Sequence, residues 1–281
     1  MPFLELFDET LDINSTENYQ LSLQLGHDNL SFCLLDTIRN KYILLRSYTP
    51  ENNKKFSRDN FEEIIAKDDF LGRKYSKVSL LLPSLKSTLI PSALYDPAKK
   101  EEYFSFNHVS TESNIILTNK LAEPDSYLLF GIPKHLYEIA SEHFPVSAPV
   151  HHLKPLFHHI GHTMLSGGDF LIHAHVEADF FNLVIFRERK LELCNTFLYR
   201  NLSDILYHIL NVFKSMNIKQ EESIYLSGQT ERYDDLFSNL SLYIRGVKFA
   251  EPTGNFTFSY VFNETALHRY INLFTIGSCE S

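Results

Sequence analysis

Hydrophobic and polar positions alternate along three consecutive segments in the first part of the chain. These segments are Leu21 to Leu25, Leu30 to Leu35 and Tyr42 to Tyr48. Turn residues separate them at Gly26 to Asn29 and at Arg39 to Asn40. Alternation with a period of two residues is typical of strands with one buried face, so the pattern predicts an antiparallel three-stranded meander.

A helix and a buried strand are predicted after this meander. Phe61, Ile64 and Ile65 share one face of a helical pattern, and Ser57 is a suitable N-cap residue before them. The following segment has the sequence KVSLLLPS, and such a mostly apolar run is typical of a strand buried on both faces. The predicted order is therefore βββαβ.

The second part of the chain repeats this order, beginning near Gly167. Alternating segments again predict a meander, with turns at Glu177 to Asp179 and at Arg187 to Arg189. Apolar residues of the segment NLSDILYHILNVFKSM recur at the spacing of a buried helix face, and a strand with the sequence SIYLSGQ follows. Repeats of this length indicate two tandem domains and not a solenoid.

The segments between and after the two copies predict further elements. ESNIILTN and SYLLFGI are predicted strands, and PKHLYEIASEHF and PVHHLKPLFHHIGHTML are predicted helices. A short helix near Tyr233 to Leu240, a strand at Val247 to Phe249 and a last helix near Glu264 to Phe274 follow the second copy. The predicted domains are residues 1–148 and residues 149–281, the second including the C-terminal helix.

The duplicated βββαβ unit resembles the actin-like ATPase fold, in which two ribonuclease-H-like domains flank a cleft. The likeness covers nearly the whole chain. In topology the chain is similar to compact bacterial members, such as the actin-like protein of type IV pilus assembly, and it also resembles an uncharacterised bacterial family with that fold. The resemblance implies an α/β fold of two ribonuclease-H-like βββαβ domains in an actin-like ATPase arrangement.

The resemblance also implies where a nucleotide site would lie. In that superfamily the first hairpin of each meander has a D-x-G turn that grips phosphate and metal, and a later strand ends in a G-G turn against adenosine. The matching positions in this chain are Gln24, Leu25 and Gly26 in the first turn, His175, Val176 and Glu177 in the second, and Ser227, Gly228 and Gln229 in the third.

Both turn aspartates of the family pattern are replaced in this chain, by Gln24 and His175. Hydrated Mg²⁺ needs a carboxylate, and the β-carbons of Glu177 and Gln229 block the close backbone approach that glycines permit. The resemblance therefore implies a degenerate nucleotide cleft with no bound cofactor. The chain is also poor in glycine, with ten in 281 residues, and it has none of the common phosphate-binding motifs.

Two carboxylates leave an enzymatic alternative open. Asp28 and Asp179 lie two residues further along in each hairpin turn, where they are placed to serve as relocated metal ligands. The alternative function is thus an ATP-binding or ATP-hydrolysing enzyme that uses Mg²⁺ with unorthodox ligands. The favoured interpretation is that each aspartate bonds its own backbone as an ordinary turn residue.

A cluster of histidines offers a second alternative. His158 and His162 are four residues apart on a predicted helix, and imidazoles so spaced can share Zn²⁺. No cysteine or glutamate completes a known spacing, so the favoured interpretation is a polar helix face and no metal site. His173 and His175 lie on one side of a predicted strand.

Composition excludes several partners. Hydrophobic residues make up 44% and charged residues 22% of the chain, as in ordinary folded proteins, and the net charge of −9 disfavours nucleic acid and anionic lipid. No apolar run approaches the roughly 18 residues of a membrane span. Three widely spaced cysteines and an acidic start fit the cytoplasm.

The sequence thus predicts a non-catalytic scaffold that binds an unidentified protein partner. A broad fold likeness with altered chemical positions supports a structural role more than an activity. Whether the partner includes a second copy, in a homo-oligomer, is left open.

Overall fold

The computed structural model of the chain describes residues 2–26, 28–50, 56–109, 114–163 and 170–279. The strands within these residues are β1 (Leu4–Phe7), β2 (Tyr19–Leu25), β3 (Leu30–Asp36), β4 (Lys41–Tyr48), β5 (Lys77–Leu82), β6 (Ser87–Pro91), β7 (Asn114–Leu121), β8 (Ser126–Pro133), β9 (Pro149–His151), β10 (Phe170–Val176), β11 (Phe180–Arg187), β12 (Lys190–Leu198), β13 (Ser223–Gly228), β14 (Gly246–Phe249) and β15 (Thr257–Phe258). The α-helices are α1 (Arg58–Lys67), α2 (Lys100–Asn107), α3 (Lys134–His143), α4 (Leu153–Thr163), α5 (Leu202–Ser215), α6 (Asp235–Ser241) and α7 (Ile271–Cys279).

The chain divides into two compact units. Unit 1 comprises Met1–His158, Gly254–Thr265 and Asn272–Ser281, and unit 2 comprises His159–Thr253 and Ala266–Ile271. The last helix, predicted in the second domain, thus contributes most of its residues to unit 1. The domain boundary after residue 148 stays a prediction.

The main sheet of unit 1 has the strand order β1-β4-β3-β2-β5-β9, with β15 also paired to β4. Strands β2, β3 and β4 form an antiparallel meander, and β5 runs parallel to β2. The predicted βββαβ order is confirmed. The meander does not form the edge of this sheet, because β1 pairs antiparallel with the outer side of β4.

Helices cover both faces of this sheet. Ser57 begins α1 with a capping box that includes Asn60, and Phe61 and Ile65 are buried in the core that the sheet shares with α1 and α3. On the other face, which we call the α7 face, the Tyr42 hydroxyl donates to the carbonyl oxygen of Phe274 at 2.6 Å. This contact explains why the C-terminal helix belongs to unit 1.

A smaller sheet of unit 1 has the order β6-β8-β7 and carries α2. Its strands β7 and β8 confirm the strands predicted at ESNIILTN and SYLLFGI. Phe104 of α2 lies over Gly131 so closely that a β-carbon at Gly131 would come within 2.6 Å of the Phe104 ring. This contact fixes α2 against β8.

The sheet of unit 2 has the order β12-β11-β10-β13-β14. Strands β10, β11 and β12 form an antiparallel meander, while β13 runs parallel to β10 and β14 runs parallel to β13. Asn201 caps α5 with a capping box, and its buried Ile205 and Ile209 pack against one face of this sheet. The predicted start of the repeat near Gly167 lies outside the described residues.

Two predicted helices differ from the structure. The segment Pro149–His151, predicted as helical, forms strand β9, because it pairs in parallel with β5 before α4 begins. The helix predicted at Glu264 to Phe274 is a 3-10 turn at Leu267–Tyr270 followed by α7. Short strands and turns of this kind depend on partners distant in sequence, which local periodicity does not reveal.

Candidate functional site

Polar side chains occupy one face of the central strand of unit 2. Ile172, Ala174 and Val176 of β10 belong to the core that packs against α5. Residues of a strand alternate between its two faces, so His173 and His175 lie on the opposite face, followed by Glu177. All three polar residues are buried.

Ser227 of β13 links these side chains into a continuous series. Its Oγ lies 2.7 Å from His173 Nε2 and 2.7 Å from His175 Nδ1. His175 Nε2 lies 3.2 Å from Glu177 Oε1. We call these four residues the His-Ser-His-Glu chain. It exists because β10 and β13 run parallel with His175 opposite Ser227.

With Glu177 ionised, its carboxylate sets the direction of every hydrogen bond in the His-Ser-His-Glu chain. The carboxylate accepts from His175 Nε2, which leaves Nδ1 of the neutral ring as an acceptor. The Ser227 hydroxyl then donates to His175 Nδ1, and its oxygen accepts from Nε2 of His173. One set of tautomers therefore satisfies all three bonds.

Burial keeps both histidines neutral. It lowers the pKa of His175 to about 4. The pKa of His173 is held well below its usual range, first by burial and then by the neighbouring His159 and His175. Neutral rings are the form that the hydrogen bonds of the His-Ser-His-Glu chain require.

Further polar residues extend this site, and the sequence analysis did not identify them. His159 Nδ1 lies 3.2 Å from Thr253 Oγ1. On the neighbouring strands, Asn182 Nδ2 donates to Thr196 Oγ1 at 2.8 Å, and Asn182 lies opposite His175. The sequence signal that could have identified Asn182 is its position as the one polar residue in the apolar segment FFNLVIF.

Backbone groups of the second predicted phosphate turn form hydrogen bonds with other residues of the same unit. The Glu177 amide donates to Phe180 O at 2.8 Å, and the Tyr199 hydroxyl donates to Glu177 O at 2.5 Å. The exposed Asp179 follows in the same turn, where its carbonyl accepts from the Tyr199 amide at 3.2 Å. This turn is a closed hairpin.

The third predicted turn needs its glycine for packing. Gly228 has φ of +83°, and a β-carbon there would lie 2.1 Å from Val176 O. The next amide, of Gln229, donates to the same carbonyl at 2.7 Å. Gly228 therefore allows β13 to approach the end of β10.

In the first predicted turn the glycine is less constrained. The Gly26 amide donates to Asn29 O at 2.8 Å, and Gln24 Nε2 donates to Asn29 Oδ1 at 3.4 Å. A β-carbon at Gly26 would meet only the movable Asn29 side chain closely, at 2.9 Å. The half-buried Asp28 lies in this turn. The structure thus gathers the predicted unit 1 residues in one turn, whereas the unit 2 residues surround the His-Ser-His-Glu chain.

The sequence matches the model of one protein family, "Protein of unknown function (DUF3822)", over residues 8–247. The chain belongs to this family. None of the functionally curated proteins matches it.

Solved structures show which fold the family member adopts. A Bacteroides thetaiotaomicron protein with actin-like ATPase fold and unknown function is 25% identical, with a TM-score of 0.78 over 88% of this chain and 96% of that chain. PilM of the PilM-PilN type IV pilus biogenesis complex is 10% identical, with a TM-score of 0.58 over 93% and 98%. EutJ, an ethanolamine utilization protein from Carboxydothermus hydrogenoformans, is 10% identical, with a TM-score of 0.50 over 98% and 92%. The predicted α/β class and actin-like ATPase fold are confirmed.

The structure also bears on the predictions about membranes and metals. Among the described residues, no helix has the length and apolarity needed to cross a membrane. In the same part of the chain, the only group of three potential metal ligands is formed by Glu62, Glu142 and His143. His158 and His162 do not belong to it. Both glutamates of that group bind Arg58.

We expect protein purified without an affinity tag to contain well under one equivalent of Zn²⁺ by elemental analysis. His158 and His162 supply two ligands, whereas a structural zinc site needs four. His135→Ala serves as the control, because this histidine lies on α3 and outside the group of Glu62, Glu142 and His143. Stoichiometric zinc that is lost in His158→Ala or His162→Ala and retained in His135→Ala would contradict the expectation.

Proposed function

We propose that this protein is a non-catalytic scaffold with an actin-like fold, whose nucleotide site is degenerate and whose role is to bind a protein partner. The observation that supports the proposal most directly is the state of Glu177. This residue occupies a glycine position of the family pattern, it is buried, and its carboxylate is bonded to His175.

Charge at this turn opposes phosphate. A carboxylate about 4 Å from a phosphate oxygen repels it by roughly 1 to 4 kcal/mol, depending on how much water screens the pair. The turn amides are also occupied, since those of Gly26, Glu177 and Gln229 each donate to a carbonyl of the chain. Charge and geometry therefore both weaken nucleotide binding.

Metal binding at the family positions is disfavoured for a separate reason. Mg²⁺ prefers carboxylate and water oxygens. In the proton arrangement of the His-Ser-His-Glu chain, both nitrogens of His175 are used, by Ser227 and by Glu177. Gln24 offers only a neutral amide. Neither position replaces the aspartate that holds Mg²⁺ in the family pattern.

A protein partner is proposed by analogy of fold. PilM, whose fold matches over 93% of this chain, occurs in a complex with PilN. Fold alone does not transfer the identity of that partner. We place the protein in a bacterial cytoplasm, because its three cysteines are free thiols and such thiols persist in a reducing compartment.

Calorimetric titration with Mg-ATP and an assay of phosphate release test the proposal together. We expect no turnover and a dissociation constant weaker than about 100 μM. Glu177→Gln removes the repelling charge at constant size, so any residual ATP affinity should rise by about tenfold or more. Asp235→Asn, in an exposed first turn of α6, is the matched control for loss of one carboxylate.

The enzymatic alternative makes the opposite prediction. Low-micromolar ATP binding, or turnover abolished by Asp28→Ala or Asp179→Ala, would identify these turn carboxylates as relocated metal ligands. That outcome would replace the scaffold with an ATP-dependent enzyme.

A further inference from the structure

The outer edge of strand β1 offers unpaired backbone. β1 is the terminal strand of the main sheet in unit 1, and in the described chain no strand pairs with its outer side. The register pairs Leu4 with Ser47 and Leu6 with Leu45, and just past the strand the Asp8 amide donates to Ile43 O of β4 at 2.8 Å. Amides alternate in direction along a strand, so within β1 those of Leu4 and Leu6 point toward β4 and those of Glu5 and Phe7 point outward. Phe3 lies before the strand and departs from this alternation, because its amide donates to Ser47 O at 2.7 Å.

Exposed aromatic side chains flank this edge. Phe3, just before β1, is 71% exposed, and Phe7 is 58% exposed and lies on the same side of the strand as Glu5. Leu4 and Leu6 alternate with Glu5 and Phe7 and are half-buried. The turn Tyr260–Phe262 also lies near β1, but its Phe262 packs on Phe274 and so covers the α7 face of the sheet. Large exposed apolar side chains beside open backbone are typical of an interaction surface.

The segment that contains β1 is acidic. Residues 1–9 contain three aspartates and glutamates and no lysine or arginine. Within this segment Glu9 is exposed. Asp8 pairs with Lys41, whereas Glu5 shares Arg46 with the buried Asp68. Two cations of β4 therefore serve three carboxylates, which leaves excess negative charge beside the exposed Glu9.

We propose that the outer edge of β1 binds an extended segment of a partner protein, in which apolar residues alternate with lysine or arginine. Such a segment pairs with the outward backbone groups of Glu5 and Phe7 as an added strand. Its apolar side chains pack on Phe3 and Phe7, and its cations meet the acidic surroundings. This inference rests on the proposed scaffold function and specifies the partner's chemistry.

A second copy of the chain fits this edge less well. Antiparallel pairing of two β1 strands about a twofold axis at Glu5 places Glu5 opposite its own copy, and like charges directly opposite each other destabilise a sheet. The charge of Glu5 therefore disfavours this self-pairing, and the acidic surroundings favour a basic partner.

Fluorescence anisotropy with two labelled peptides tests the inference on the full chain. The probe is a seven-residue peptide of alternating lysine and valine, and the comparison peptide has glutamate in place of lysine. We expect the lysine peptide to bind and the glutamate peptide to bind at least about tenfold more weakly. Hydrogen exchange should show new protection at the amides of Glu5 and Phe7 when the lysine peptide is present.

Variants locate the binding to β1. The double variant Phe3→Ser with Phe7→Ser should weaken binding by about tenfold or more, since truncated anchors dominate such losses. Phe106→Ser, at a phenylalanine 89% exposed on α2, should leave the affinity unchanged. Exchange protection in the unaltered chain supplies a second measurement if the double variant does not fold.

Several results would overturn the inference. These are no binding of the lysine peptide, equal binding of both peptides, protection outside β1, and self-association that the double variant abolishes. The ATP assay distinguishes this inference from the scaffold function. A chain that neither binds the peptide nor turns over ATP keeps the scaffold function and loses this docking edge, whereas ATP turnover removes the scaffold function whatever β1 binds.

Discussion

Gly228→Ala is expected to lower the free energy of unfolding by about 3 kcal/mol or more, as measured by urea denaturation. The added β-carbon would lie 2.1 Å from Val176 O and 3.0 Å from the Val176 amide nitrogen. These are backbone atoms of β10, which pairs with β13 at this position, so neither strand can move without breaking the sheet. The φ of +83° adds strain for any residue with a side chain.

Two other glycines are the controls for this experiment. A β-carbon at Gly72 meets nothing within 4 Å, so Gly72→Ala should change stability by no more than about 0.5 kcal/mol. Gly26→Ala should lie between the two, because only the Asn29 side chain has to move. Equal losses for Gly228→Ala and Gly26→Ala would show that the contact with Val176 does not control stability.

The free energy of unfolding is also expected to fall steeply as the pH is lowered below 6.5. His175 has a folded-state pKa of about 4, while its usual value is 6.5. Between these values the unfolded chain binds a proton that the folded chain does not bind. The contribution of His175 to the free energy of unfolding is therefore fully present above pH 6.5 and is lost as the pH falls toward 4. The shift corresponds to about 3 kcal/mol for this one residue.

Other buried histidines add to this effect. Burial, with a smaller contribution from His152, holds the pKa of His151 well below its usual range, and His173 behaves in the same way. Each neutral histidine contributes a slope of up to about 1.4 kcal/mol per pH unit. Urea denaturation between pH 6.5 and 5 measures these slopes, because most carboxyl groups titrate at lower pH.

Substitution assigns the slope to particular residues. His175→Gln should reduce the slope in this range, whereas His143→Gln, at an exposed position, should leave it unchanged. A stability that is constant from pH 6.5 to 5 would mean that the buried histidines accept protons without cost to the fold.

The strands of the two meanders were predictable because each keeps one face in a core. The alternation in β2 to β4 and in β10 to β12 follows from that asymmetry. β1 and β9 were missed, since segments of four and three residues are too short to show a period. Their conformation is determined by pairing with β4 and β5.

The candidate site was predictable only in part. Alternation placed His173 and His175 on one side of a strand, and the family pattern pointed to Ser227. Their hydrogen bonds depend on the parallel register of β10 and β13, which joins residues 52 and 54 positions apart. A single sequence does not specify that register. The buried pair of His175 with Glu177 therefore emerged only from the structure.

The placement of α7 in unit 1 affects the order of events during translation. The buried thiol of Cys33 contacts Leu273 O at 3.7 Å, 240 residues later in the chain. The hydrogen bond from Tyr42 to Phe274 likewise forms only after α7 has been synthesised. At about 5 to 20 residues per second, a ribosome needs roughly 10 to 50 s to bridge that interval. Unit 2 can be synthesised completely in the meantime. The unit that emerges first from the ribosome is therefore completed last, and a nascent chain exposes the apolar α7 face of its sheet until α7 has been made.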